Sequence, residues 1–568
     1  MAKVSNAGKV GIFVGIGVFV FAAVLIGMLL TQNIGNTDDD IETSGEDTSQ
    51  QMEKLLQGIN VTQVEPRKAA IKDEDMLTDE AELPDIKNYP LSVTGKADVN
   101  VEIFSSPEKA GEGTDGWLNE VAEKFNDEGL KVNGKTASVS IRSVSSGLAL
   151  DYIKSGKYVP QAITPSNEFW GKMIEASGVE ITLKKDKLAG NVPGVLLSKS
   201  KYDEILDKYG SVNMKVISEC TASNEIAMGY TNPFASSTGL NFLISTLYSY
   251  DPDDLLSSKA VEGFQQFQKN VPLVSYNTLQ MRTSAESGSL DGFVMEYQSY
   301  YNDPTLKNDY VFTPFGARHD NPMYSLGKIS ADEDAVLERF CEYCLNDESQ
   351  KLAKEYGFNQ NEKYQSELPD DISGDELIKA QKLYKENKDS GKPIVAVFVA
   401  DISGSMIGEP INALQTSLIN SMQYINKNNY VGLVSYNNKV YVDLSIAEFD
   451  LNQQAYFKGA VQDMSAGGQT ATYDAVLVAL DMIEKALEEH PEAKPMLFLL
   501  SDGEQNTGYS LNEISSVVGG SDVPIYTIGY NANIEALKKV SEINEAATIN
   551  ADSDDIIYQL KNLFNSEM

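Results

Sequence analysis

An aspartate and two serines follow directly on a nearly all-apolar run of the chain. The run "KPIVAVFVA" ends at Ala400, and Asp401, Ser403 and Ser405 come next in "DISGSM". A carboxylate and two hydroxyls at this spacing suit a divalent cation, a phosphoryl-accepting aspartate or an ordinary helix cap. The rest of the sequence has to decide among the three.

Two later segments carry the same kind of oxygen ligands. Thr470 lies in the Gly-rich stretch "SAGGQTATYDA", and Asp502 follows the apolar run of "KPMLFLLSDGEQNTG". Apolar runs without alternation indicate parallel strands that are buried on both faces. From about residue 390 such runs alternate with amphipathic helices, which predicts a doubly wound sheet whose ligands bind at the carboxyl ends of the strands. We therefore expect all these side chains to meet at one edge.

This set of residues favours the cation. A phosphoryl-accepting aspartate of the haloacid-dehalogenase kind needs a second acid two residues on, where Ser403 stands, and no G-x-S-x-G nucleophile elbow is present. A helix cap needs only one polar residue and leaves Thr470 and Asp502 unexplained. A hard divalent cation prefers roughly six oxygen ligands, so Mg²⁺ is the first choice, with Mn²⁺ or Ca²⁺ as alternatives.

The segments "DISGSM", "GGQT" and "LLSDGEQNTG" resemble the metal-ion-dependent adhesion site of von Willebrand factor type A (VWA) domains. The resemblance covers residues 390–568. It implies that the two serine hydroxyls and the threonine meet the metal, that the aspartates act mostly through water, and that a partner's carboxylate completes the octahedron. The implied metal residues are Asp401, Ser403, Ser405, Thr470 and Asp502. Asp474, just beyond, is interpreted as an acid that complements the dipole of its helix.

Residues 91–370 also alternate between strands and helices, with small polar residues in the turns. "YTNPFASSTGLNFLIS" and "AVLERFCEYCLNDESQKLAKEYGFN" resemble the type II periplasmic solute-binding proteins, including molybdate- and sulfate-type binders. The resemblance implies two α/β lobes with a cleft between them. By the same resemblance, the cleft would be lined by Ser105, Ser106, Ser145, Ser146, Ser236, Ser237 and Thr238, with Asn167, Trp170 and Glu296 as weaker candidates.

The sequence does not determine whether this cleft binds a ligand. On pattern alone, small polar residues that precede helices are more often plain N-caps than ligand groups. A buried Glu296 would disfavour an oxyanion ligand unless another group paired with it.

Composition excludes several classes of function. The 568 residues include 83 acidic and 46 basic side chains, for a formal charge of -37, which opposes nucleic-acid binding. Three cysteines cannot form a disulfide framework, and Cys341 and Cys344 are interpreted as small core residues of a helix rather than a metal or redox pair. Neither His319, in a loop, nor His490, at a helix end, stands in a catalytic pattern, so no enzyme is expected.

The N-terminus predicts a membrane anchor. Residues 10–30 carry no charge and would span about 31 Å as a helix, close to one bilayer core. Residues 1–9 contain Lys3 and Lys9, and no basic residue follows the apolar run until Lys54, which predicts a cytoplasmic N-terminus with the bulk of the chain outside the cell. A cleaved signal peptide is the competing interpretation. Residues 31–90 are polar and acidic, and they read as a solvated linker or stalk.

The predicted fold is α/β: a two-lobed solute-binding-like domain, then a doubly wound, Rossmann-like domain, behind an N-terminal transmembrane helix. The predicted role is that of a bacterial cell-surface protein that binds a protein or other acidic ligand through a divalent metal, with a second site for a small-molecule solute in the cleft. One alternative is a solute receptor for a membrane transport system. The other is an assembly or regulatory subunit of a larger complex.

Overall fold

A computed structural model of the chain describes residues 45–71, 83–275, 281, 290–502, 505–530, 534–541, 548–551 and 556–568. The chain divides into two compact units, residues 1–51 and 52–568. Of the first unit, the structure describes only residues 45–51, the beginning of helix α1 (Gly45–Leu56). The predicted membrane-spanning residues 10–30 lie outside the described residues. Within the described ranges, every helix is too short or too polar to cross a bilayer.

The first lobe is built on a seven-stranded sheet with the order β2-β5-β3-β6-β13-β7, and β4 pairs with β5. Its strands are β2 (Leu91–Val93), β3 (Val99–Ser105), β4 (Lys131–Val132), β5 (Lys135–Ser143), β6 (Ala162–Thr164), β7 (Ile181–Lys185) and β13 (Met323–Leu326). Its helices are α2 (Pro107–Ala110), α3 (Trp117–Asp127), α4 (Ser146–Ser155), α5 (Glu168–Ala176), α12 (Ala331–Cys344) and α13 (Asp347–Glu355). β3, β5 and β6 run parallel, as the strand–helix alternation predicts.

The second lobe has a five-stranded sheet with the order β10-β9-β11-β8-β12. Its strands are β8 (Pro193–Ser198), β9 (Met228–Thr231), β10 (Leu273–Ser275), β11 (Gly292–Glu296) and β12 (Tyr310–Pro314). Its helices are α6 (Lys199–Tyr209), α7 (Met214–Ala222), α8 (Ser237–Tyr250), α9 (Ser258–Gln268), α10 (Tyr297–Asn302) and α11 (Pro304–Asp309). The chain crosses between the lobes twice, and the two crossings pair at Asn191 and His319. The two-lobed prediction is confirmed.

After the second crossing the chain returns to the first lobe. Helix α14 (Gly374–Asn387) then connects this lobe to the C-terminal domain. That domain contains a seven-stranded sheet with the order β1-β16-β15-β14-β17-β18-β19. The strands are β1 (Val61–Gln63), β14 (Ile394–Asp401), β15 (Tyr430–Tyr436), β16 (Val440–Glu448), β17 (Lys494–Ser501), β18 (Ile525–Tyr530) and β19 (Thr548–Ala551). The helices are α15 (Glu409–Ser421), α16 (Leu451–Asp463), α17 (Thr472–Glu489), α18 (Leu511–Gly520), α19 (Ile534–Ser541) and α20 (Ile556–Glu567).

Strand β14 is the central strand of this sheet and is buried along its whole length. It runs parallel to both neighbours, β15 and β17. Phe398 and the residues of its face pack in one apolar cluster, and Val397 and the alternate residues pack in another on the opposite face. A parallel strand with helices on both sides requires apolar residues at every position, so the continuous apolar run is explained.

The expected solvated stalk needs correction within residues 52–71. β1 pairs in parallel with Val440–Val442 of β16 and forms an edge of the C-terminal sheet. Met52 is buried in that domain's core. Farther on, the Arg67 carbonyl lies so close to α16 that a Cβ on Gly459 would stand 1.9 Å from its oxygen. This segment belongs to the C-terminal domain, so the two-lobed domain is inserted between the first strand of that sheet and the others.

The cysteines behave as core residues. Cys341 and Cys344 are free and buried in α12, and burial raises the pKa of the Cys341 thiol to about 12. Such a thiol stays protonated and inert at neutral pH. His490 stacks on Tyr430 with 3.9 Å between ring centroids, so its role in the fold is packing.

Candidate functional site

The residues predicted to bind the metal gather at the carboxyl edge of the C-terminal sheet. Asp401 is the last residue of β14, and Asp502 directly follows β17, its parallel neighbour. Ser403 and Ser405 lie in the turn after β14, and Thr470 lies just before α17. Parallel strands place their carboxyl ends side by side, which is why segments about a hundred residues apart in sequence converge here.

Two hydroxyls and a carboxylate form a continuous chain of oxygen atoms. Ser403 Oγ and Ser405 Oγ are 3.0 Å apart. Ser405 Oγ donates a hydrogen bond of 2.8 Å to Asp502 Oδ1. Ser403 is buried, whereas Ser405 and Asp502 are reachable by solvent. The chain of oxygens therefore runs from the interior to the surface, where an outside ligand has access.

Asp401 orders the first loop from inside. Its Oδ1 accepts a hydrogen bond of 2.8 Å from the Ser403 N–H, and its Oδ2 accepts one of 2.6 Å from Ser501 Oγ. The Tyr436 hydroxyl lies 3.3 Å from the same Oδ2. Asp401 is fully buried, and the burial raises the pKa of its carboxyl group. The position suits a group that acts on a bound ion through water or by orienting the serines.

The loop that carries Thr470 packs directly on the first loop. The Gly404 N–H donates to the Gly468 carbonyl at 3.0 Å, and the Gly467 N–H donates to the Ile402 carbonyl at 2.8 Å. Gly468 has a φ of +98°, a backbone conformation that glycine adopts without the strain a Cβ would bring. A Cβ at Gly468 would also stand 2.7 Å from Asn438 Oδ1, so glycine is favoured at this one position of the loop.

Asn506 and Asp474 hold the third loop, and the sequence did not reveal Asn506. Asn506 Oδ1 accepts from the Thr470 N–H at 2.9 Å, and its Nδ2 lies 3.4 Å from Thr470 Oγ1. Asp474 stands in the first turn of α17, as predicted, and its Oδ1 also accepts from the Tyr509 N–H at 2.8 Å. Asp474 therefore has a structural contact beyond the helix dipole. Asn506 therefore joins the third loop to Thr470, and Asp474 joins it to α17.

The donor set fits a hard divalent cation. It consists of two carboxylates and three hydroxyls, and among the described residues no basic side chain forms an ion pair with either carboxylate. Burial raises the pKa of both Asp401 and Asp502, which is the expected effect of removing a carboxylate from water without a compensating charge. Within the described ranges, no three His, Cys, Asp or Glu side chains form a metal-binding group.

The cleft candidates of the two-lobed domain also come together in part. Ser237, at the start of α8, accepts a hydrogen bond of 2.8 Å from Trp170 Nε1 and donates one of 3.1 Å to Ser146 Oγ. Trp170 and Ser146 belong to the first lobe and Ser237 to the second, so these contacts cross the cleft. All three side chains are buried. The lobes are closed on each other at this point.

Glu296 has a full set of partners within the protein. Its Oε2 accepts from Asn191 Nδ2 at 2.6 Å, and its Oε1 lies 3.2 Å from Thr238 Oγ1 and 2.9 Å from His319 Nδ1. Asn241 Nδ2 lies 3.2 Å from His319 Nε2. Because that amide group also donates to the Ala317 carbonyl at 2.7 Å, its orientation is fixed. His319 Nε2 is therefore an acceptor, and Nδ1 carries the proton that is donated to Glu296.

A second buried cluster lies at the end of β3, and sequence reasoning missed its charged members. Ser106 Oγ donates to Glu108 Oε1, and so does Ser166 Oγ at 2.8 Å. Lys109 is fully buried, with its Nζ 3.3 Å from the same carboxylate oxygen. Burial lowers the pKa of Lys109. A lysine in "SSPEKA" gives no signal of burial in the sequence, because charged side chains are mostly exposed.

The remaining cleft candidates have structural roles. Ser236 is the N-cap of α8 and accepts from the Gly239 N–H at 3.3 Å. Asn167 is the N-cap of α5, accepts from the Phe169 N–H at 3.2 Å, and also lies 3.1 Å from His319. Ser105 contacts the Ser106 carbonyl, and Ser145 precedes α4 without a side-chain cap hydrogen bond. The plain-cap interpretation therefore applies to Ser236 and in part to Asn167.

Comparison with known protein families agrees with this architecture. Residues 396–565 match the von Willebrand factor type A domain, and residues 110–359 match the bacterial extracellular solute-binding protein family. Among solved structures, the periplasmic thiamin binding protein is 10% identical, covers 53% of this chain and 99% of its own, and has a TM-score of 0.37. A VWA protein from Catenulispora acidiphila is 17% identical over 31% of this chain and 42% of its own, with a TM-score of 0.28.

Inter-alpha-trypsin inhibitor heavy chains and a calcium channel subunit match about a quarter of the chain or less. Inter-alpha-trypsin inhibitor heavy chain H3 of Bos taurus is 30% identical over 157 residues, which are 25% of this chain and 17% of the relative. The voltage-dependent calcium channel subunit alpha-2/delta-2 of Homo sapiens is 25% identical over 117 residues, 20% of this chain and 10% of the relative. The chain thus spans less than a fifth of the length of these relatives. This chain combines a bacterial extracellular solute-binding domain with a VWA domain.

Proposed function

We propose that this protein binds an acidic ligand, a protein in the first instance, through a divalent metal at the carboxyl edge of its VWA domain. Mg²⁺ is the first choice, with Mn²⁺ or Ca²⁺ as alternatives. The observation that carries the proposal is the chain of oxygens from Ser403 through Ser405 to Asp502 beside a buried Asp401, which has no basic partner in the part of the chain that the structure describes. The proposal includes a membrane-anchored, extracytoplasmic location on a bacterial cell.

The residues that would hold the metal are Ser403, Ser405 and Thr470 through their hydroxyls, with Asp401 and Asp502 next to them. A bound divalent cation would supply net positive charge that attracts a partner's carboxylate. Because the hydroxyl ligands are neutral and the two aspartates would act mostly through water, the ion would keep enough positive charge to attract that carboxylate. Asp401 orients the Ser403 backbone, and Ser405 is the hydroxyl nearest to solvent on the path to Asp502.

Metal binding is tested by titrating the full-length chain with Mn²⁺ and following free Mn²⁺ by electron paramagnetic resonance. The Ser403→Ala/Ser405→Ala double variant should lose measurable binding, because it removes two of the roughly six oxygen ligands. Ser515→Ala, a solvent-exposed serine of α18 in the same domain, is the matched control and should bind like the wild type. Equal Mn²⁺ binding by all three proteins would contradict the proposal.

Location is tested separately. Protease added to intact cells should digest the chain if the bulk of it is outside, and the protein should sediment with membranes. A protease-protected protein in the soluble fraction would overturn the proposed location without touching the metal site.

A second candidate function is that of a solute receptor, favoured by the contacts of Trp170, Ser146 and Ser237 across the cleft. Lobes that meet through buried polar side chains are what a solute-binding domain needs for closing over a ligand. Native mass spectrometry of the protein purified from its host would reveal a stoichiometric small molecule if this function is correct. An assembly subunit would instead copurify with a large complex.

A further inference from the structure

Helix α14 contacts both lobes of the solute-binding domain. On the first lobe, Gly374 packs so tightly on α5 that a Cβ there would stand 2.1 Å from the Lys172 carbonyl oxygen. On the second lobe, Gln381 Nε2 donates to the Pro233 carbonyl at 2.9 Å. Tyr384 is buried, and its ring centroid lies 6.1 Å from that of Phe234. One helix therefore joins two bodies that must separate for the cleft to open.

Helix α20, the last helix of the VWA domain, also contacts both lobes. Lys561 Nζ lies 3.4 Å from Asp151 Oδ2, on α4 of the first lobe. The Asn562 carbonyl accepts from Asn232 Nδ2 at 3.4 Å, in the second lobe. Tyr558 is buried in the same apolar cluster as the cores of the lobes. The VWA domain thus rests on both lobes at once.

The two helices are also joined to each other. Lys385 of α14 donates through Nζ to the Phe564 carbonyl of α20 at 2.6 Å and to the Tyr424 carbonyl of the VWA domain at 2.8 Å. The Phe564 carbonyl also accepts from the Met568 N–H at 2.9 Å, so Lys385 is a second donor to the end of α20. We call the pair α14 and α20 the interlobe clasp.

The clasp lies over the segments that line the cleft. Asn232 and Phe234 belong to the loop directly before Ser236, Ser237 and Thr238. Beneath the clasp, a Cβ on Gly147 would stand 2.0 Å from the Phe234 carbonyl oxygen, so the backbones of the two lobes touch there. The contacts that close the cleft and the contacts that carry the clasp are therefore made by the same short stretches of chain.

We propose that the VWA domain acts as a latch on the solute-binding domain: the interlobe clasp holds the lobes closed, and a solute enters only after the clasp releases one lobe. Both ends of the solute-binding domain support this arrangement. Residues 61–63 before it are a strand of the VWA sheet, and α14 after it is part of the clasp. Because α14 and α20 each contact both lobes, opening has to break the clasp itself. The latch does not depend on the metal site.

The distance between the lobes measures the latch directly. Spin labels at Glu338→Cys on α12 and Lys215→Cys on α7, both exposed positions on different lobes, report the distance by double electron–electron resonance in the full-length chain. The native cysteines are buried. The otherwise wild-type protein should give one narrow distance distribution. Lys561→Glu, which places a carboxylate against Asp151, should add a longer distance in at least about a tenth of the molecules.

Two further variants control the experiment. Lys485→Glu reverses a charge that pairs with Asp481 on α17 at 2.7 Å, outside the clasp, and should leave the distribution narrow. Asp151→Lys combined with Lys561→Glu restores opposite charges and should remove the longer distance. If Lys561→Glu does not fold, Gln381→Ala replaces it with the same expectation. A distribution that stays unchanged in the clasp variant, or one already broad without it, overturns the latch.

Discussion

Buried carboxylates have different partners at the metal edge of the VWA domain and in the cleft of the solute-binding domain. In the cleft, Glu296 is paired with His319, Asn191 and Thr238, and Glu108 is paired with Lys109. At the metal edge, Asp401 and Asp502 have only hydroxyl and backbone partners among the described residues. In the cleft, the buried Lys109 supplies a positive charge next to Glu108 and close enough to Glu296 to attract it, whereas no basic side chain among the described residues pairs with Asp401 or Asp502 at the metal edge.

The difference indicates which site depends on an outside charge. A buried carboxylate without a compensating cation raises the free energy of the folded state, so such a site gains when an ion arrives. A carboxylate that already has a basic partner gains little. We therefore expect metal ions to act on the VWA edge and to leave the cleft unaffected.

The largest expected effect on Mn²⁺ affinity comes from removing the negative charge of Asp502 at the metal edge. The same change at Glu296 in the cleft is the comparison. Asp502→Asn should lower Mn²⁺ affinity about 100-fold, in the range found when groups around a metal are lost. Glu296→Gln makes the same chemical change in the cleft and should leave Mn²⁺ affinity as it is. Calorimetric titration of both full-length variants checks this. An equal loss of Mn²⁺ affinity in the two variants would contradict the expectation that metal ions act on the VWA edge and not on the cleft.

Another buried carboxylate shows what an uncompensated charge costs where no ligand is expected to bind. Asp443 in β16 has a pKa raised to about 6 by burial, and its Oδ2 has no hydrogen-bond partner among the residues that the structure describes. The carboxyl group of Asp443 binds its proton more tightly in the folded state than in the unfolded state. The free energy of unfolding should therefore fall as the pH rises from about 4 to 6, by about 2 to 3 kcal/mol in all.

Asp443→Asn should remove that part of the pH dependence. Urea unfolding of the VWA transition at pH 4.5 and pH 7 measures it for both proteins. An identical pH dependence in the variant and the wild type would show that Asp443 does not carry a raised pKa.

Gly147→Ala tests the closed cleft. The added Cβ would stand 2.0 Å from the Phe234 carbonyl oxygen, so the lobes must move apart, and the free energy of unfolding should fall by about 2 kcal/mol. Gly467→Ala, where a Cβ meets open space, is the control and should unfold like the wild type. Mn²⁺ affinity should not change in Gly147→Ala. Wild-type stability in Gly147→Ala would contradict the close contact of the lobes.

The smallest effect is expected from the residue that positions Thr470. Asn506→Ala removes the acceptor of the Thr470 N–H, which lies at 2.9 Å, and should weaken Mn²⁺ binding about 10-fold. Asn512→Ala, at an exposed position near the start of α18, should have no effect. A loss as large as that of Asp502→Asn would mean that Asn506 itself contacts the ion.

Much of the VWA edge could be predicted because strand ends share an edge by geometry. The apolar runs before Asp401 and Asp502 identify two buried parallel strands, and their carboxyl ends have to lie together. Asn506 and Ser501 could not be predicted as partners, since their roles depend on how loops approach each other. The same applies to His319: a loop histidine shows no sign in the sequence that it meets Glu296 across a crossing between lobes.

The N-terminal segment was the largest difference between expectation and structure. β1 has three residues, "VTQ", which show no period and stand in a polar stretch. Its partner, β16, lies beyond the whole solute-binding domain. Pairing over such a sequence distance leaves no local signal, because the hydrogen bonds use the backbone and the exposed side chains do not have to be apolar.

The most direct test of the metal-dependent site is anomalous diffraction from crystals of the full-length chain soaked in Mn²⁺. We expect one strong anomalous peak beside Ser403 Oγ, Ser405 Oγ and Asp502 Oδ1, and no peak at Glu296. An empty edge in well-ordered crystals, or a peak in the cleft instead, would contradict it.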